Sequence, residues 1–166
     1  MSKFVVMVGA FAAMEAVASG SHRLFMHRRG WAWHRAHHRA RTGRLDANDA
    51  FPFVFAIATI AVFAAGAAVR SLQALTWIGA GVTAYGVAYL VVHDVCIHGR
   101  MLGRPLGRRG YLGYVRRAHH VHHATGAEPF GFLFPVRSRR RGETMAPSAT
   151  ESLRVAGTDA RRVKTS

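Results

Sequence analysis

Three stretches of the chain lack the alternation of polar and apolar positions that marks a soluble amphipathic helix or a half-buried strand. Residues 4–20, FVVMVGAFAAMEAVASG, are apolar apart from Glu15, and residues 51–69 and 74–92 carry no charge at all. At 17 to 19 residues, each is long enough as a helix to cross a bilayer core of about 30 Å. A helix without a polar face belongs in lipid rather than at the surface of a soluble core. Only Arg70-Ser71-Leu72-Gln73 separates the second stretch from the third, so these two helices are predicted to run antiparallel as a hairpin. Asn48 or Asp49, followed by Pro52, supplies an N-cap and an early-turn proline for the second helix. In the third, Ala80, Ala84 and Ala88 repeat at four-residue spacing beside Gly79 and Gly81. That set reads either as a ridge for close helix approach or as generic small residues in an apolar helix.

Charge then orients the spans. The chain of 166 residues carries a formal net charge of +15, a balance shared by nucleic-acid binders and membrane proteins. Seven Arg lie between residues 22 and 50 and fourteen Lys or Arg after residue 92, while Lys3 and Arg70 stand alone. With three spans the two basic segments share one side, so the positive-inside bias places the N-terminus outside and the C-terminus in the cytoplasm. Nucleic acid is not needed to explain the charge. Lys3, an apolar stretch and Ala16-Val17-Ala18 imitate a cleaved signal peptide, but cleavage there sends the Arg-rich segment outward and Glu15 interrupts the apolar region. A stable first span is therefore expected. Residues 137–166 mix an Arg139-Arg140-Arg141 run with Ser, Thr, Pro and Gly, which reads as a disordered basic tail after a domain of residues 1–136. Cys96 is the only cysteine, so no intrachain disulfide is possible.

The candidate chemistry lies in eleven histidines, none within the three apolar stretches. They form four clusters, all on the predicted cytoplasmic side: His22 and His27; His34, His37 and His38; His93 and His98; His119, His120, His122 and His123. The spacing i, i+3, i+4 places His34, His37 and His38 on one helical face, and likewise His119, His122 and His123. His120 points away from the second face and is expected in solvent or behind the ligands. The pairs five residues apart would stand about 140° apart on a regular helix. Either the helix ends between them or each member serves a different metal. Imidazole favours iron, copper and zinc, and ten clustered histidines are enough for two metals.

Three further features carry alternatives. Glu15, seven residues before His22 and on nearly the same face, is either a functional intramembrane carboxylate or a hydrogen-bonded packing residue near the interface. Asp94 either orients the His93 ring or is a solvated acid, the second being the simpler reading. Trp31, Trp33 and Trp77 fit an interfacial aromatic belt more simply than a cavity lining.

The strings HRLFMHRRGWAWHRAHH, WIGAGVTAYGVAYLVVHDVCIH, AHHVHH and FGFLF together resemble the bacterial β-carotene hydroxylases of the fatty-acid-hydroxylase superfamily, over roughly residues 10 to 135. The resemblance implies an all-α integral membrane bundle of about three transmembrane helices carrying a cytoplasmic histidine-rich metal-binding cap, in the bacterial inner membrane. It implies a non-haem di-iron monooxygenase with O2 as co-substrate, a carotenoid drawn from the bilayer and a ferredoxin-type electron donor. The expected reaction is hydroxylation of β-ionone rings at carbon 3, giving β-cryptoxanthin and zeaxanthin. The ligand set it implies is His22, His27, His34, His37, His38, His93, His98, His119, His122 and His123. His120 stands where the family more often has a basic non-histidine residue. Two other readings keep the histidines: a hydroxylase or desaturase of another lipid, and a non-catalytic zinc-binding membrane protein.

Overall fold

A computed structural model describes residues 2–39, 45–101, 105–107 and 109–136, and every regular element among them is helical. Helix α1 (Lys3–Ser21) runs directly into a π-helical turn, His22–Met26. A single short turn of helix, α2 (Trp31–His34), follows. Helix α3 (Ala50–Ala68) is entered through a 3-10 turn and joined by Arg70–Leu72 to α4 (Ala74–Tyr89), which continues as a π-helix over Leu90–Ile97. Helix α5 (Gly110–Thr125) completes the described elements. Three continuous helical stretches, Lys3–Met26, Ala47–Ala68 and Ala74–Ile97, are long and apolar enough to cross a membrane. The expected hairpin is present, and the first and third spans outrun their apolar stretches because the histidine-bearing π turns extend them. The basic tail from Arg137 onward lies outside the described residues.

The start of α3 is capped differently from expectation. The Asp46 side chain accepts from the Asn48 backbone N–H and the Asp49 side chain from that of Asp46, both at 2.9 Å, a reciprocal capping box. Asp46 thus takes the capping position assigned to Asn48 or Asp49, which leaves the amide of Asn48 to turn elsewhere.

Helix α4 is the centre of the bundle, with α1 and α3 packed on it rather than on each other. Of the small residues in α4, Gly81 makes the crossing with α1: a Cβ there would overlap the Met7 carbonyl oxygen and lie 2.8 Å from the Ala10 Cβ. Gly79 faces the Phe63 ring and Ala88 packs against the core that contains Ala18, whereas Ala84 is exposed, so the glycines set the closest approach and the four-residue alanine repeat does not form one continuous contact. Between lipid-solvated helices such close backbone contact supplies the packing that hydrophobic burial cannot. Val54 and Ile57 on α3 are more than 60% exposed, as a lipid-facing surface requires. Helix α1 packs along α4 as part of the bundle. The small buried core, Ala18, Tyr85, Phe132 and Leu133, lies toward the end of the bundle that carries the histidines.

Candidate metal centre

The two pairs spaced by five residues resolve in a third way. Each opens and closes a π-helical turn, with the His27 N–H bonded to the His22 carbonyl at 3.1 Å and the His98 N–H to the His93 carbonyl at 3.0 Å. The wider i to i+5 turn brings the fifth residue back over the first, so both members of a pair face one place. The helix does not end between them, and the members do not part to separate sites.

Ring nitrogens gather in two groups, each within 4.8 Å: His22, His27, His34, His38 and His122; and His37, His93, His98 and His119. The triplets are shared out, His37 going to the second group and His122 to the first. His123 lies between them, its ring 4.4 Å from His119, 4.5 Å from His38 and 4.6 Å from His37. Its buried Nε2 has no hydrogen-bond partner among the described residues. All ten sequence-selected histidines therefore come together. His120 stays exposed, accepting from Arg116 Nε at 3.2 Å.

Outward hydrogen bonds fix which nitrogen points inward. His22 Nδ1–H donates to the Phe130 carbonyl at 2.9 Å, and His122 Nδ1–H to that of Ala127 at 2.7 Å. His34 Nδ1–H donates to Asn48 Oδ1, and His93 Nδ1–H to Asp94 Oδ1, both at 2.7 Å. These partners are acceptors, so the inward Nε2 atoms carry lone pairs. Yet His22 Nε2 and His34 Nε2 lie 3.0 Å apart, two lone pairs facing one another. Burial, with the neighbouring imidazoles, holds His34 down to about 3 and His27 to about 4, and pushes His37 and His119 well below the ordinary range. His123 falls to about 2 for the same reasons. Protonation therefore does not relieve the contact at neutral pH, whereas a cation between the nitrogens does. The donor set fits metal ions.

A second layer of polar groups surrounds the histidines, and of it the sequence reading raises only Asp94. Arg100 donates from both terminal nitrogens to Asp49 and from Nη1 to Asp94 Oδ2 at 3.0 Å. Asp94 is buried and its carboxyl is tied to His93, so it orients a ring instead of being solvated. Asn48 plays the same part for His34. Trp31 tilts over His27 and His38, Trp33 is half exposed, and Lys3 lies 5.5 Å over Trp77 at the far end; none of the three is among the residues that line the cavity. Glu15 belongs to neither histidine group: it accepts from Tyr85 O–H at 2.7 Å and from backbone N–H groups of residues 132–134, the hydrogen-bonded packing alternative. A cavity of about 1050 Å³ opens between α1, α3 and α4, with Ile60, Phe63 and Val82 at mid-span depth and His34, His37 and His93 at its head.

An apolar bundle that brings ten imidazoles together, nine of them in two adjoining groups with His123 between, defines a class of membrane-spanning protein whose histidine clusters could hold metal ions. Residues 7–140 match the fatty acid hydroxylase family, and the chain belongs to that family, a family of oxygenases. Among its relatives, the β-carotene hydroxylase of Pantoea ananas is 41% identical over 79% of this chain and 74% of its own length. That of Pseudescherichia vulneris is 41% identical over 78% and 75%, and that of Paracoccus sp. (strain PC1) is 36% identical over 81% and 85%. No solved structure matches the chain.

Proposed function

We propose that the protein hydroxylates the β-ionone rings of β-carotene at carbon 3, giving β-cryptoxanthin and zeaxanthin. The observation that carries this reading is the apolar cavity, which joins the depth of the spans to His34, His37 and His93 at its head. A long hydrocarbon entering from the bilayer has room there to lie along α4 with one end at the histidines. Breaking an unactivated C–H bond is beyond acid–base side chains, and two irons held by the histidine groups would supply it by reducing O2 with electrons from a ferredoxin-type donor. His22, His27, His34, His38 and His122 would hold one iron; His37, His93, His98 and His119, with His123 beside them, the other.

The chain's own residues bind, orient and shield. Phe51 and Phe132 wall the cavity beneath the histidines, while Asn48 and Asp94 lock the tautomers of His34 and His93. The histidine end faces the cytoplasm of the bacterial inner membrane with the N-terminus outside, as the distribution of basic residues supports. Exposed Arg28, Arg29, Arg35, Arg39 and Arg117 on that side suit an acidic electron donor. Expression in a β-carotene-producing bacterial host tests the activity: zeaxanthin or β-cryptoxanthin is expected. Unchanged β-carotene, with the protein in the membrane and a ferredoxin supplied, would point to another lipid substrate.

A further inference from the structure

The loop after α5 is bonded to a carboxyl group that lies inside the first span. Glu15 is seven residues before His22 on a continuous helix, which puts it about 10 Å nearer the membrane centre than the histidine layer. Its Oε1 accepts from the backbone N–H of Phe132 at 2.9 Å and of Phe134 at 3.1 Å. Its Oε2 accepts from the Leu133 N–H at 3.1 Å and Tyr85 O–H at 2.7 Å. Gly131 permits the approach, since a Cβ there would lie 2.8 Å from Glu15 Oε1. Non-helical backbone at this depth is tolerated only where its polar groups are satisfied inside the protein, and Glu15 does this for three consecutive N–H groups.

The outer face of the same loop is apolar. Phe134 is 52% exposed and Val136 76%. Tyr111 and Tyr114 flank them on α5 and donate their hydroxyls inward, to the carbonyls of Leu133 at 2.7 Å and Pro135 at 2.9 Å. Aromatic rings turned outward over satisfied polar groups suit the boundary of a bilayer and not water. The inner face reaches the histidines: the Phe130 carbonyl holds His22, and the Phe132 ring stacks on His22 at 4.8 Å.

We propose that residues 130–136 form a re-entrant loop inserted into the hydrocarbon layer beside α1 and α4, pinned there by Glu15, with lipid covering its outer face. The proposal goes beyond the hydroxylase reading and holds whichever lipid is the substrate. Glu15 acts as a positioning residue, reaching His22 and the cavity wall through the loop.

The test uses the full chain in phosphatidylcholine nanodiscs, with a nitroxide at Val136→Cys in a Cys96→Ala background. Collision with O2, which partitions into lipid, is compared with collision with a water-soluble nickel chelate. Labels at Ile57→Cys, on the exposed face of α3, and Thr125→Cys, at the exposed end of α5, give the lipid and water limits. The label at 136 is expected to match that at 57, to shift to the water limit in Glu15→Ala, and to shift part-way in Glu15→Gln, which keeps one acceptor oxygen; the label at 57 is expected to stay unchanged in both. A label at 136 that matches 125 in the unmutated chain overturns the insertion. One that stays at the lipid limit in both Glu15 variants overturns the pin.

Discussion

Asp94 contributes no nitrogen to the histidine groups, yet it fixes the tautomer of a residue that does. Its carboxylate accepts from His93 Nδ1 and is itself held by Arg100. Replacing the outer partner of a ligating histidine typically costs about 10- to 100-fold in metal affinity or activity. Asp94→Ala is expected to lose that much, and Asp94→Asn, which keeps an acceptor, to recover part of it, read as bound iron and turnover. A second contrast separates neighbours on α5. His123→Ala is expected to abolish product and His120→Ala to leave it near the unmutated level, because only His123 buries an unpartnered nitrogen between the groups. At this scale the ligand candidates were legible, since imidazole spacing repeats visibly along the chain. Of their outer partners only Asp94 was raised, as one of two alternatives: Asn48 looks like a cap, Arg100 like one more surface cation, and the Phe130 and Ala127 carbonyls leave no trace in side-chain chemistry.

The π turns are the elements that convert sequence spacing into a site. A five-residue separation on an α-helix divides two histidines, and both alternatives drawn from it, a helix that ends between them or members that serve different metals, followed from assuming regular geometry. The wider turn reverses that outcome, and nothing in HRLFMH or HDVCIH marks the change of pitch. Inserting an alanine after Leu24 leaves the two histidines six residues apart, a spacing that neither an α-helical nor a π-helical turn brings to one face, and is expected to swing His27 away. The expected result is loss of iron with helical circular dichroism retained; full iron content would remove the turn from the account. The spans themselves were legible to within a few residues because lipid demands an uninterrupted apolar run. The crossing point was not, since it depends on which small residue meets α1. Gly81→Val is expected to destabilise the bundle by about 1–3 kcal/mol, the usual penalty for overpacking, seen as a lower melting temperature in detergent.

Over the whole molecule, α4 positions everything else. It carries His93 and His98 at its end, crosses α1 at Gly81, and leaves between α1 and α3 the opening that leads to the histidines. Such an opening cannot be read from sequence, because it arises where two helices pack on a third but not on each other. If it admits the substrate, filling it should impair turnover without touching the metals: Ala56→Trp, on the cavity wall, is expected to lower product formation while iron content stays constant. The central claim is that the two histidine groups are two metal sites serving one oxidation. The most direct measurement is the metal content of the purified chain, followed by exposure to O2 and a reductant with β-carotene present. The account predicts two irons per chain and formation of the 3-hydroxylated pigment, with both lost in His37→Ala and His122→Ala. A chain that holds zinc without iron and remains inert to O2 and reductant would contradict it.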